Sequence, residues 1–173
     1  MDEYTEILQH LYIGSKDKLE EVKDIHLLIN CTVDIPFPKY PVYPIQLRIP
    51  IAEDKKEDIK FLEMILYTRV IEKIYKCIYN RQNVFIYNYD SRACSLVSCF
   101  LIKYMFMKPT PAIQFVYKKM TRKNEHDVKS NIFNNTLVYY YHYLQMYKNE
   151  RKNQKIDETE KKNTNTNTNS YET

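Results

Sequence analysis

The 173-residue sequence predicts an α/β fold with a mostly parallel central sheet flanked by helices. Two short apolar runs, residues 25–31 and 84–87, have the length of buried strands and are too short for helices. Between them, apolar residues recur every three or four positions over residues 59–79, which predicts an amphipathic helix. Strands that alternate with helices are typical of parallel sheets covered by helices, and this pattern gives the fold class.

The elements before residue 59 are predicted from shorter patterns. Residues 7–14 read as a strand that runs into a turn at Gly14, and residues 17–22 have the spacing of a short helix. Residues 34–44 contain four prolines and are predicted to be a loop. Residues 45–51 alternate between apolar and polar side chains, which predicts one more strand.

The second half of the chain is predicted to be mainly helical. Residues 93–107 are apolar apart from Lys103, as expected of a central helix packed on most sides. Two more helices are predicted at residues 112–120 and 131–147. We expect one domain over residues 1–149. The Lys-, Asn- and Thr-rich residues 150–173 hold almost nothing apolar and are predicted to be a disordered tail.

Composition narrows the classes of partner. The formal charge of +4 comes from 26 basic and 22 acidic residues, which is only a mild bias toward anions. The 17 tyrosines follow the apolar periodicity, so a nucleic-acid-binding module is an alternative and not the first interpretation. The four cysteines have no metal-ligand or disulfide spacing, and we expect no metal and no cofactor. We expect a cytoplasmic or nuclear protein without a membrane span.

Four segments resemble motifs of the dual-specificity protein phosphatases. Residues 11–15, LYIGS, resemble the LYLGS segment that opens those domains, and residues 27–32, LLINCT, resemble the ILNVT-like strand that follows. Residues 49–53, IPIAE, are similar to the IPV-x-D element that carries the general acid of the family. Residues 112–120, AIQFVYKKM, resemble the AIEFVRKRR helix. The segments occur in the family's order over residues 5–147, and the resemblance implies the cysteine-phosphatase fold.

The resemblance places the phosphate loop at residues 87–95, where the family has the signature His-Cys-x2-Gly-x2-Arg-Ser/Thr. Here the loop reads Tyr87, Asn88, Tyr89, Asp90, Ser91, Arg92, Ala93, Cys94 and Ser95. The nucleophile position holds Asn88, whose amide cannot form a phospho-enzyme, and the position of the phosphate-clamping arginine holds uncharged Cys94. Glu53, or Asp54 after a one-residue shift, corresponds to the general acid.

The loop departs from the signature at three further positions. Ser91 replaces a glycine, and a positive φ there would cost a non-glycine residue about 1 kcal/mol. Asp90 adds a negative charge that opposes phosphate. Arg92 is the only cation left in the loop, and at its position the side chain can point to solvent.

The loss of the signature does not depend on the alignment. The residues six positions after Cys31, Cys77, Cys94 and Cys99 are Phe37, Asn83, Phe100 and Met105. No Cys-x5-Arg motif therefore exists in the sequence. No cysteine nucleophile has an arginine at the spacing that this reaction requires for clamping the phosphate.

These observations predict a catalytically inactive member of this class, a pseudophosphatase. The resemblance implies a binding or scaffold role in signalling, with protein partners that include phosphoproteins or their kinases and phosphatases. The enzyme alternative is a phosphatase acting on phosphotyrosine, phosphoserine or phosphothreonine through Glu53, Asp54, Asp90 and Arg92. Cys94 and Cys99 are expected to be inert buried thiols. The alternative for Cys94, which lies near a helix N-terminus, is a lowered pKa and sensitivity to oxidation.

Overall fold

The computed structural model describes residues 4–39, 43–87, 90–120 and 132–167. Five strands form one sheet in the order β1-β2-β5-β3-β4. Strand β1 pairs antiparallel with β2, and all other pairs are parallel. The predicted fold class, a mostly parallel sheet with helices, is therefore confirmed. The strands are β1 Tyr4–Leu8, β2 Leu11–Gly14, β3 Ile25–Asn30, β4 Ile45–Arg48 and β5 Asn83–Tyr87.

Within the described residues, five α-helices follow or connect these strands. The first two lie between β4 and β5, and the other three follow β5. Short 3-10 helices, Lys16–Glu21 and Lys55–Glu57, lie after β2 and before α1. The α-helices are α1 Asp58–Thr68, α2 Val70–Tyr79, α3 Ser91–Tyr104, α4 Pro109–Met120 and α5 Asn134–Asn167.

The N-terminal strand of the prediction is a two-stranded hairpin in the structure. His10 has a φ of 69°, and the chain reverses between β1 and β2 at this residue. Turns of this kind are usually recognised from a glycine, which takes the left-handed conformation easily. Here the left-handed residue is a histidine, so the sequence gives no such signal for the turn.

The single helix predicted over residues 59–79 is two helices in the structure. Arg69 lies between α1 and α2 with a φ of 51°, in the left-handed region. The apolar spacing continues across the break because Ile65, Val70 and Ile74 are all buried in the core. Periodicity alone therefore cannot detect this break. Helix α4 also starts earlier than predicted, at Pro109, since proline is tolerated in a first helical turn.

The two faces of the sheet are covered differently. On one face, Leu28, Phe85 and Tyr87 pack with residues of the first 3-10 helix and with Tyr43. On the other face, alternate strand residues such as Leu27, Ile29 and Ile86 are fully buried, and α2 contacts β3 and β5. Helix α3 is buried on nearly all sides, as the sequence predicts for this segment.

The chain divides into two compact units, residues 1–141 and residues 142–173. Helix α5 crosses this division and is described as far as Asn167. The sequence predicts a disordered tail from residue 150; the helix α5 is described over residues 150–167, and the remaining residues of the tail lie outside the described part of the chain. The segment contains many Lys, Glu, Gln and Arg residues, which lose little rotamer freedom in a helix and so favour one without an apolar face. No helix among the described residues combines the length and the apolar character that a membrane span requires.

Candidate functional site

The carboxyl ends of the parallel strands lie level at one edge of the sheet. Gly14 pairs with Tyr87, Tyr87 with Asn30 and Asn30 with Arg48, and these four residues end β2, β5, β3 and β4. Open α/β sheets place their ligand sites beyond such ends. Helix α3 starts at Ser91, four residues after β5 ends, so the predicted phosphate loop lies at this edge.

The structure describes most of that loop. Asn88 and Tyr89 lie outside the described residues, so the replacement of the nucleophile by Asn88 remains a prediction from sequence. Ser91 is the first residue of α3 and is not among the residues with positive φ. The strained conformation that a glycine would permit at this position is therefore absent, and the chain enters the helix directly.

Asp90 caps the N-terminus of α3. Its Oδ1 accepts the backbone N–H of Arg92 at 2.8 Å and that of Ala93 at 3.4 Å. These amides are among the free donors of the first helical turn, where the helix dipole also favours negative charge. A bound phosphate would use the same donors. The carboxylate of Asp90 therefore occupies the part of the loop that would otherwise attract an anion.

Arg92 is paired with the same carboxylate. Its Nε donates to Asp90 Oδ2 at 2.8 Å, and its Nη2 contacts that oxygen as well. Its Nη1 donates to the carbonyl oxygen of Ile51 at 2.7 Å. Only 9% of Arg92 is exposed, which corrects the expectation that this side chain points to solvent. Burial alone would lower the pKa of Arg92, but the hydrogen bonds and the charge of Asp90 raise it, so the guanidinium keeps its charge.

Cys94 faces the helical core. It is fully buried, and its Sγ lies 3.2 Å from Sδ of Met120 on α4. Burial, together with the nearby charge of Asp90, raises the pKa of the Cys94 thiol. This environment supports the favoured interpretation of an inert buried thiol over the alternative of a lowered pKa, because desolvation outweighs the helix dipole. The four cysteines are buried free thiols.

The two acid candidates, Glu53 and Asp54, lie on the segment between β4 and α1 and differ in their interactions. Asp54 Oδ1 accepts the backbone N–H of Lys56 at 2.9 Å and caps the 3-10 helix Lys55–Glu57. Glu53 is exposed, and its negative charge contributes to raising the pKa values of Arg92 and Cys94. The segment after β4 and the phosphate loop are thus brought together, as the resemblance implies.

A polar network at the strand ends was not found from sequence. Asn30, fully buried, accepts the N–H of Thr32 at 2.8 Å and its hydroxyl at 2.7 Å, and donates to the carbonyl of Ile35 at 2.7 Å. Arg48 donates to the carbonyls of Val33 and Ile35 at 3.1 and 2.8 Å. The network fixes the start of the proline-rich loop. The Asn-x-Thr spacing was the available signal, because such side chains bond to nearby backbone.

Tyr87, at the position of the signature histidine, belongs to the same network. Its hydroxyl donates to the carbonyl of Pro36 at 3.3 Å, and its ring packs edge-on against Phe37 with 6.0 Å between centroids. Burial raises the pKa of Tyr87 to about 12, so the phenol stays protonated. Arg48 and Arg92, the arginines described at this edge, both donate hydrogen bonds to other groups of the chain.

A cavity of about 760 Å³ lies elsewhere, at the amino ends of β3 and β4. It is lined by Leu19, Val22, Ile25, Tyr43 and Pro44, with charged residues at positions 20, 23 and 24. None of the residues of the predicted phosphate loop or acid segment lines it, so it is separate from the strand-end site.

No protein-family model and no curated protein matches this chain. Solved structures do match it. Human DUSP28 aligns with a TM-score of 0.64 at 20% identity, over 82% of this chain and 95% of that one. The human tyrosine phosphatase-like serine/threonine/tyrosine-interacting protein aligns with a TM-score of 0.62 at 20% identity, over 85% of this chain and 99% of that one.

A mouse putative dual-specificity phosphatase, solved in complex with zinc tungstate, aligns with a TM-score of 0.62 at 20% identity, over 83% of this chain and 89% of that one. The structural alignments establish the fold, and identities of 20% support no conclusion beyond it. The resemblance drawn from the sequence motifs is confirmed to that extent: the chain has the fold of the dual-specificity phosphatases.

Proposed function

We propose that this chain, which has the fold of the dual-specificity phosphatases, is a catalytically inactive pseudophosphatase that binds protein partners. One observation carries the proposal. In a sequence without a Cys-x5-Arg motif, the carboxylate of Asp90 caps α3 and pairs with Arg92, the only cation of the loop. The chain thus supplies its own anion to the remains of the phosphate loop.

Electrostatics oppose a phosphoryl group at this place. Two like charges 4 Å apart repel by about 4 kcal/mol at the effective dielectric constant of a protein surface, and a phosphate dianion would face the carboxylate of Asp90. Displacing Asp90 would break hydrogen bonds to a charged group, each of which contributes about 1.5–3 kcal/mol. Weak or absent phosphate binding follows from both effects.

The alternative of an active enzyme with an atypical site has less support. It requires Glu53, Asp54, Asp90 and Arg92 to act on a substrate, yet Asp54 caps a 3-10 helix and Asp90 and Arg92 bind each other. Glu53 is left as one exposed carboxylate. A single acid without a nucleophile gives no route to phosphoryl transfer.

A binding role is consistent with a protein of the same fold. One matching human structure is named as a phosphatase-like protein that interacts with serine, threonine and tyrosine. We infer that the present chain uses the fold in a comparable way, as a module that holds protein partners in signalling, without turnover.

Turnover of an aryl phosphate tests the proposal. The parent chain is compared with a variant that carries Asn88→Cys, Asp90→Ala, Ser91→Gly and Cys94→Arg. We expect no turnover by the parent and measurable turnover by the variant. Because Cys94 is buried against α4, thermal melts must show that both proteins are folded, and a variant with only the first three changes serves as a second test of a folded loop.

Two results would oppose the proposal. Hydrolysis by the parent that falls on Glu53→Gln or Asp90→Ala would show an atypical active site. Hydrolysis by the parent that Asn88→Ala abolishes would show that the amide position takes part in the reaction. Activity that none of these substitutions changes identifies a contaminating phosphatase and leaves the parent scored as inactive.

A further inference from the structure

An exposed aromatic surface lies on α2 and the C-terminal end of α3. It consists of Tyr75, Tyr79, Tyr104, Met105 and Phe106, and is called the aromatic patch below. Tyr75 is 42% exposed, Tyr79 76%, Met105 56% and Phe106 74%. Neighbouring large apolar side chains left in water on a folded domain are typical of interaction surfaces.

The aromatic patch is held in place by its own contacts. The rings of Tyr75 and Tyr104 stack with 4.2 Å between centroids and 12° between planes, and Tyr79 stacks on Tyr75 at 6.1 Å. Buried Phe100 packs against Tyr104 at 5.3 Å and connects the surface rings to the core. Binding to a surface ordered in advance costs less conformational entropy, which favours specific recognition.

The charge around the aromatic patch is mainly positive. Along residues 69–81, four cations are interrupted by one acid, Glu72, and residues 103–108 hold two lysines and no acid. Glu72 is itself bound, since its Oε1 lies 2.7 Å from Nζ of Lys103. The four cations are Arg69, Lys73, Lys76 and Arg81. Charges across interfaces are complementary, so the fitting partner is acidic.

We propose that the aromatic patch is the partner-binding site of this chain and that it takes an acidic protein segment carrying apolar side chains. The inference rests on the proposed binding function, since it names the surface that performs it. Apolar side chains of the segment would pack against Tyr79 and Phe106, and its carboxylates would lie toward Lys76 and Arg81. The recognition needs no phosphate and leaves the strand-end site unused.

Two other occupants fit the observations less well. A second copy of the chain, docked by the same patch, would bring like charges together. Single-stranded nucleic acid stacks its bases on free ring faces. Here the faces of Tyr75 contact Tyr104 and Tyr79, and Lys103 Nζ lies over the ring of Tyr104 at 5.6 Å. The faces of Tyr75 and Tyr104 are thus covered, which leaves fewer ring faces for bases than a stacking surface provides.

The test uses the full chain and a phage-displayed library of random peptides. Selected peptides are synthesised, and their affinities are measured for the parent, Tyr79→Ser, Lys76→Glu and the control Tyr139→Ser. Tyr139 is 47% exposed and lies on α5, so the control removes a comparable exposed ring from another helix. All substituted side chains are exposed, and each variant is expected to fold.

We expect peptides rich in Asp, Glu and large apolar residues. Tyr79→Ser and Lys76→Glu should each raise their Kd by about tenfold, which corresponds to about 1.4 kcal/mol, while Tyr139→Ser leaves it unchanged. The affinity of the parent should also fall with added salt, because the flanking charges are exposed.

Four results would overturn the inference. They are a library that yields no binders, basic or uncharged selected peptides, equal affinity of parent and patch variants, and loss of affinity on Tyr139→Ser alone. Binding of an oligo-dT strand that Tyr79→Ser weakens would reassign the patch to nucleic acid. None of these results concerns aryl phosphate turnover, so failure of this inference is distinguishable from failure of the proposed function.

Discussion

The strand-end site and the aromatic patch differ in what becomes of their charges. At the strand ends, Arg92 and Asp90 are largely buried and bound to each other, and Arg48 is bound to backbone carbonyls. At the aromatic patch, cations stay exposed and outnumber the single acid. The arginines of the strand-end site already bind groups of the chain, so they are poorly placed to bind a ligand. The aromatic patch retains exposed apolar surface and an excess of positive charge. The surface better suited to binding is therefore the aromatic patch and not the strand-end site.

The start of α5 provides a reference for the start of α3. Asp58, 5% exposed, accepts the N–H of Thr136 at 3.0 Å and its hydroxyl at 2.6 Å. The Thr136 hydroxyl also lies 3.0 Å from the carbonyl oxygen of Asp58. Both helices therefore receive a carboxylate from the chain, and at α5 its role is structural.

The largest expected effect is on Asp58. Asp58→Ala leaves the buried N–H of Thr136 without its acceptor and the Thr136 hydroxyl with only the main-chain carbonyl of residue 58, and should lower the free energy of unfolding by about 3 kcal/mol. Urea unfolding followed by circular dichroism measures it, with Glu63→Ala on the exposed side of α1 as the control. A loss below about 1 kcal/mol would mean that the buried contact contributes little.

The next effect concerns the strand-end site. Asp90→Ala removes the cap of α3 and leaves the guanidinium of Arg92 unpaired, which should cost about 2 kcal/mol of stability. Asp90→Asn retains an oxygen for the cap and should cost about half as much. Equal stability of parent and Asp90→Ala in urea unfolding would show that this ion pair does not hold the loop.

A smaller effect of opposite sign is expected at Arg69, beside the aromatic patch. Its φ of 51° suits glycine, so Arg69→Gly should raise the free energy of unfolding by about 0.5–1 kcal/mol. The substitution also removes a cation and should weaken binding of an acidic peptide several-fold. Arg69→Ala, which keeps the strain and removes the charge, separates the two effects. A stability loss on Arg69→Gly would contradict this account of the break between α1 and α2.

The smallest effect is a pH dependence at the ion pair beneath the aromatic patch. Burial alone would raise the pKa of Glu72, but Lys103 and Arg69 lower it below its ordinary value of 4.5. The folded pKa is then the lower one, so the stabilisation is present above about pH 4.5 and is lost as pH falls through the folded pKa. The side chain is 35% exposed, so screening limits the stabilisation to about 0.5 kcal/mol.

Unfolding midpoints of the parent and Glu72→Gln measure this dependence. The parent should be more stable at neutral pH, and the difference should close in acid. A difference that persists unchanged at about pH 3, well below the ordinary carboxyl range, would assign the effect to packing and not to charge.

Sequence patterns predicted the parts of the molecule that follow from burial. The runs at β3 and β5 and the apolar segment of α3 are continuous because these elements are covered on both sides. The hairpin at His10 and the break at Arg69 were missed because left-handed residues in this chain are not glycines. The low apolar content that predicts a tail from residue 150 also fits a helix of charged residues, such as the part of α5 described as far as Asn167.

The site was predicted in its location and only partly in its interactions. The resemblance placed residues 87–95 and 53–54 near each other; in the structure Arg92 donates to the carbonyl of Ile51, two residues before Glu53, and the charge of Glu53 helps to raise the pKa of Arg92. The pairing of Asp90 with Arg92 was not predicted, although an Asp directly before a buried helix is a capping signal. Which way Arg92 turns depends on the carbonyl of Ile51, a contact that only the folded chain provides.

Titration calorimetry with tungstate tests the central claim most directly, since tungstate imitates phosphate and is named as a ligand of a structure with the same fold. The parent should show no measurable heat of binding, and Asp90→Ala, which frees Arg92 and the first amides of α3, should bind the oxyanion. Asp58→Ala, whose helix start is buried, should not. Binding of tungstate by the parent as tightly as by Asp90→Ala would contradict the claim that Asp90 fills the phosphate loop.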